Sequence, residues 1–231
     1  LAVREPKRVL YVVVAADRGL AGGYNSSILR LAQATMQEDE REKRVLAIGR
    51  RARDFLVRRD VELYREGLEQ NYIYIGDELS YDESRFVTRY IADMYIKGEV
   101  DEVIMVHNAF LTAATYRPSV TRLLPILPED LVLACAVSAG GDEATPSCVG
   151  SAEGVLSILL PRWVGTRVYS LLLGAKASEQ GARMLAMRNA TENADEMIEK
   201  LTLSFNRARQ NSITTEISEI VGGANALAGG E

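Results

Sequence analysis

The sequence predicts an α/β fold: a doubly wound sheet followed by a long C-terminal helix. Three observations carry this reading. Apolar, β-branched runs such as "RVLYVVVAA" (residues 8–16) lack polar alternation, the pattern of strands covered on both faces. Such runs alternate with helical stretches through the first two thirds of the chain. From residue 151 the chain is helix-forming nearly throughout, and Pro161 is the only proline of that stretch. The expected domains are residues 1–150 for the α/β part and residues 151–231 for the helix.

Each element has a local reason. After the first strand, "DRGLAGGYN" reads as a glycine-rich turn and "SSILRLAQATMQEDEREK" as a helix. "RVLAIG" is a second buried strand, "RRARDFLVRR" a short basic helix and "VELYRE" a third strand. In "ELSYDESRFVTRYIADMYIKGEV", Val87, Tyr90, Ile91 and Met94 fall on one helical face. Ser80 is placed to cap that helix, with Glu83 completing a capping box, and Gly98 ends it beside Lys97. "DEVIMVHNAF" is another buried strand. After "RPSVTRLLPILPEDL" the pattern degrades; "LVLACAV" reads as a strand and "SAGGDEATPS" as a surface loop, so the α/β part is expected to end near Gly150.

Pro161 is expected to mark a bend or a restart. Residues 165–227 contain no proline, and one helix over that span would be about 95 Å long. A compact domain has no use for such a helix. Its apolar stripe runs Ala194, Met197, Leu201, Phe205, Ala208 in three- and four-residue steps, the spacing of a coiled-coil seam. It then slips by one residue, to Ile213, Ile217, Ile220, Ala224 and Leu227, which rotates the seam by about 100°. Arg209, Gln210, Asn211 and Ser212, all polar, occupy the slip.

Bulk properties narrow the function. The chain has 231 residues, 47% hydrophobic and 26% charged, which is ordinary globular composition. Its net charge of −5 argues against a nucleic-acid binder, which must neutralise phosphates. No apolar run approaches the length of a membrane span. "GLAGG" lacks the spacing of a dinucleotide fingerprint and the lysine of a P-loop, so it reads as a strand-to-helix turn. His107 reads as a hydrogen-bonded strand-end histidine, since no nucleophile elbow accompanies it. Cys135 and Cys148 are expected to be free, with a redox pair as the alternative. No acid/base or metal constellation stands out, and the chain reads as noncatalytic, without a cofactor.

Three blocks, "DRGLAGGYN", "SVTRLLPI" and "ASEQGARMLAMRNATENADEMIEKLTLSFNRARQNSITTEISEIVGGANAL", closely resemble the gamma subunit of F-type ATP synthases, in order and over nearly the whole chain. The resemblance implies a Rossmann-like foot domain without a nucleotide site. It implies a C-terminal helix that normally forms an antiparallel coiled coil, the shaft of a rotor turning inside a ring of alpha and beta subunits. The foot is implied to sit with the epsilon subunit on the c ring of the membrane sector, on the cytoplasmic face of a bacterial inner membrane or its organellar equivalent. It assigns Arg209, Gln210 and Thr214, with Glu216 beside them, to contact with the beta subunits, and Arg183 to energy coupling. Leu201, Phe205, Ala208, Ile213, Ile217, Ile220 and Leu227 become the shaft seam. Members normally begin with a long basic helix, and "LAVREPKRVLYVVV" starts where that helix should finish. The competing expectation is an α/β nucleotide-binding enzyme with a helical dimerisation arm, which would take a ligand at the carboxyl ends of its strands.

Overall fold

The computed structural model describes residues 6–127, apart from 65, 69 and 77, and residues 152–228. The elements are β1 (Arg8–Val14), α1 (Tyr24–Glu38), β2 (Glu42–Ile48), α2 (Arg50–Val57), α3 (Tyr81–Ile96), β3 (Glu102–Thr112), β4 (Thr115–Leu124) and α4 (Ala152–Ala228). The strands form one mixed sheet in the order β2-β1-β3-β4. β1 lies parallel to both β2 and β3, and β4 returns antiparallel to β3. The chain divides into two compact units, Leu1–Leu185 and Ala186–Glu231.

The unbroken apolar runs are explained by what covers each face. Successive strand residues point to opposite sides, and both sides are buried. One core joins Leu10, Val12, Leu46, Val103 and Met105 to Val87, Ile91 and Met94 of α3 and to Val164, Val168 and Leu172 of α4. The other joins Val9, Tyr11, Val13, Val45 and Val106 to Ile28 and Ala32 of α1 and to Ala52 and Leu56 of α2. Each of the Val, Leu, Ile and Met side chains among them contributes about 1.5–3 kcal/mol by leaving water.

α3 starts as the sequence predicts. The Ser80 hydroxyl accepts from the Glu83 amide, and the Glu83 carboxylate accepts from the Ser80 amide. Gly98 follows the helix with φ of 73°, where a side chain would be strained.

The structure corrects three expectations. "VELYRE" is no strand: Leu63 makes only an isolated parallel bridge to Val45. Three charged residues in six leave too little apolar surface to extend the sheet. "TYRPSVTRLL", with no strand expected, is β4. It sits at the sheet edge, where one row of backbone groups faces away from the sheet, so Pro118 is tolerated within it. Pro161 does not restart the helix, because α4 continues through it; the ring removes the one amide that would bond the Ser157 carbonyl. "LVLACAV", "SAGGDEATPS", Cys135 and Cys148 lie outside the described residues.

The amino ends of the strands are tied by ion pairs. The Arg8 guanidinium meets Asp101 at 3.1 Å, Arg41 bridges Asp39 at 2.8 Å and Glu102 at 2.6 Å, and Arg44 meets Glu99 at 3.0 Å. The Tyr11 hydroxyl donates to Asp39 at 2.6 Å. Hydrogen bonds from Arg41 and Tyr11 hold the Asp39 carboxyl well below the usual range.

Candidate functional site

The strand order reverses direction between β1 and β3, and the carboxyl ends of those strands are where an open α/β sheet takes a ligand. Here that place is filled. The glycine-rich turn bends through Leu20 (φ 60°) and Gly22 (φ 54°), and Gly23 leads into α1. The Asn25 carboxamide accepts from the Ala16 amide at 3.0 Å, and Asp17 accepts from the Arg50 amide at 2.9 Å. Gly49, at φ 88°, brings its backbone so close to the Ala15 carbonyl that a Cβ would overlap it. Tyr24 fills the place between the strand ends: the ring is buried, its carbonyl accepts from the Asn108 carboxamide of β3 and its hydroxyl donates to the Ala175 carbonyl of α4. Beside the ends of β1 and β2 a void of about 10 Å³ remains, lined by Val14, Ile48, Gly49, Leu172 and Lys176. That space holds no more than one water. Among the described residues no group of three His, Cys, Asp or Glu is gathered as metal ligands would be.

The part of α4 inside the first unit carries a charged cluster. Glu179, 3% exposed, pairs with Lys176 at 3.3 Å and with Arg183 at 2.8 Å. The sequence-predicted Arg183 is therefore held by its own helix, through Glu179 and also through Gln180 at 3.3 Å. Tyr24, Asn108, Glu179 and Gly181, which surround this region, were not singled out from the sequence. Their partners lie far apart in the chain, so no local spacing marks them.

His107 lies within β3 and not at its end, which corrects the sequence expectation. It belongs to the face covered by α3 and α4, like Met105 and Val103, two and four residues earlier. Its Nε2 is 3.0 Å from the Thr121 hydroxyl, and its Nδ1 is buried without a hydrogen-bond partner. Burial pushes its pKa down.

In the second unit every described side chain from Met187 onward is exposed. Leu201 is 63% exposed, Phe205 66%, Ile217 56% and Ile220 65%, with Ala208 and Ile213 also open. The Leu227 side chain lies outside the described residues. Arg209, Gln210, Thr214 and Glu216 share this exposed stretch. The Thr214 hydroxyl donates back to the Gln210 carbonyl at 2.8 Å, Thr215 to Asn211 at 2.9 Å and Ser218 to Thr214 at 2.8 Å. No helix among the described residues is long and apolar enough to cross a membrane.

Comparison with known proteins gives a consistent answer. The family model described as ATP synthase matches residues 1–227. The chain is 45% identical over 223 residues to the ATP synthase gamma chain of Symbiobacterium thermophilum, covering 96% of this chain and 73% of that one. It is 46% identical over 227 residues to the gamma chain of Moorella thermoacetica, covering 98% and 76%. Its fold resembles a chain of the Euglena gracilis mitochondrial ATP synthase, in a structure of OSCP, F1 and c-ring, with a TM-score of 0.70 at 20% identity, covering 97% and 74%. It also resembles a chain of the central stalk and c-ring of the Tetrahymena thermophila enzyme, with a TM-score of 0.59 at 24% identity, covering 82% and 79%. A mixed sheet wrapped by helices, a filled ligand crevice and a long helix with an uncovered apolar stripe thus occur in a chain that belongs to the ATP synthase gamma chain family, the central-stalk subunit of that complex.

Proposed function

We propose that the chain works mechanically and makes or breaks no bonds: it transmits rotation between the membrane c ring and the catalytic beta subunits. The observation that carries this reading is the long helix whose apolar stripe finds no cover in its own unit. The helix of the second unit, about 65 Å long, with large apolar residues open to water is costly unless a surrounding surface takes them up. In the family to which the chain belongs such a surface is the other helix of an antiparallel coiled coil, which turns inside the ring of alpha and beta subunits. The α/β part, residues 1–150 in the sequence reading, acts as the foot on the c ring beside the epsilon subunit. The assembly is peripheral to the cytoplasmic face of a bacterial inner membrane, or its organellar equivalent.

Arg209, Gln210, Thr214 and Glu216 touch the beta subunits in this reading, and Leu201, Phe205, Ala208, Ile213, Ile217, Ile220 and Leu227 form the shaft seam. Exposed polar contacts contribute only about 0.2–1 kcal/mol each. They suit a catch that closes and opens at every turn, while stiffness and steric fit carry the torque. Buried Tyr24 favours a noncatalytic role, because it occupies the place between β1 and β3 where an open α/β sheet takes a ligand.

The test is a single-molecule bead assay on the reconstituted complex with Arg209→Ala and Gln210→Ala combined. The expected result is an intact complex that retains most of its torque. Torque falling nearly to zero in an intact complex would overturn the division of labour between catch and shaft.

A further inference from the structure

A helix that carries torque must be keyed to the body it turns. Within the first unit α4 lies on the sheet through Val164, Val168, Leu172 and Ala175. Apolar contacts of this kind resist separation, but they are non-directional and resist rolling poorly. Two contacts beside them are directional. The Tyr24 hydroxyl, fully buried, donates to the Ala175 carbonyl at 2.9 Å. Six residues further on, Gly181 lets the helix backbone lie against the turn between β3 and β4, so closely that a Cβ would overlap the Ala113 carbonyl. Six residues on a helix separate these contacts by about 120° around its axis. Two fixed points at different azimuths oppose rotation, as one cannot.

The first point is braced from behind. The Asn108 carboxamide donates to the Tyr24 carbonyl at 3.2 Å, and the Tyr24 ring meets Tyr116 of β4 edge-to-face at 5.5 Å. The Asn108 Oδ1 is buried with no hydrogen-bond partner, so Asn108 is held there at a desolvation cost. Glu179, 3% exposed, lines the small void together with Tyr24 and binds Lys176 and Arg183 along the helix.

We propose that Tyr24 with Asn108, and Gly181 against Ala113, form the torque-bearing joint that locks α4 to the α/β body. This rests on the rotor reading and extends it to residues that touch neither ring nor nucleotide. They are positioning residues, and load-dependence tells a joint from mere support of the fold. A weakened joint slips when the load rises, whereas a merely less stable subunit loses activity at any load.

The experiment uses the assembled complex with a bead attached to the α/β body, driven by ATP under graded viscous load. Tyr24→Phe removes only the hydroxyl, and Gly181→Ala wedges the second contact without touching the first. The expected result is unloaded rotation and ATP hydrolysis within about twofold of the parent for both variants, with torque at high load reduced at least twofold. Should Tyr24→Phe fail to assemble, Gly181→Ala decides. Parental torque at every load, or a loss equal at all loads, would overturn the joint while leaving the rotor reading intact. A parent complex that hydrolyses ATP without turning the bead would overturn the rotor reading itself.

Discussion

The sheet and the second unit are built from similar residues under opposite conditions. Leu10, Val12, Val103 and Met105 are completely buried by helices of their own unit. Leu201, Phe205 and Ile220 are just as apolar, yet more than 60% of each is exposed. The difference teaches that hydrophobic patterning says where a face must be covered, and not whether the chain covers it itself. In the first unit the apolar faces close on one another and fold stability is internal. In the second, the same free energy is held open for a partner surface.

That contrast can be tested by breaking each side in turn. The largest effect is expected inside the first unit. Leu172, 1% exposed, packs α4 against the sheet, so Leu172→Ala should destabilise the unit by about 2–5 kcal/mol, as a shift of the urea midpoint. A loss below 1 kcal/mol would mean that α4 is not part of that core.

A smaller effect is expected on lowering the pH. Hydrogen bonds from Arg41, Arg8 and Tyr64 hold the carboxyls of Asp39, Asp101 and Glu99, respectively, below their ordinary values. Their stabilisation is complete above the unfolded carboxylate range and is lost as the pH falls through it toward the folded values. His107 adds an earlier loss. Burial lowers its pKa, so below about 6.5 the unfolded imidazole takes up a proton that the folded one does not. Urea midpoints measured from pH 7.5 down to 4 should therefore fall continuously. Asp101→Asn should flatten the acid part of that curve, and an unchanged slope would remove the ion pair with Arg8 from the account.

The smallest effect is expected in the second unit. Phe205→Ala should change the stability of the isolated chain by less than about 0.5 kcal/mol, because the ring is 66% exposed. The same substitution should weaken association with alpha and beta subunits, read by co-purification. A loss matching that of Leu172→Ala in the isolated chain would erase the contrast.

Much of this was legible in the sequence where the signal is local. The β-branched run of β1, the Ser80–Glu83 box and the stripe of α4 each fall within one or two turns or a single strand. β4 was not legible: at the sheet edge it is half exposed and carries Thr, Arg, Pro and Ser, so it looks like a loop. Pro161 does not restart the helix for the opposite reason, because helix on both sides of it outweighs one missing hydrogen bond. The joint was illegible in principle. It pairs residue 24 with 175, 24 with 108 and 113 with 181, and only the fold brings these together.

Thr214, Thr215 and Ser218 each turn the hydroxyl proton onto a carbonyl of their own helix. Any surface that slides past this stretch meets methyl groups and lone pairs, and need break no hydrogen bond to these hydroxyls in order to move on. At these three positions the hydroxyls keep the helix wettable with their donors already engaged, which leaves the grip of the stretch to longer side chains such as Arg209 and Gln210.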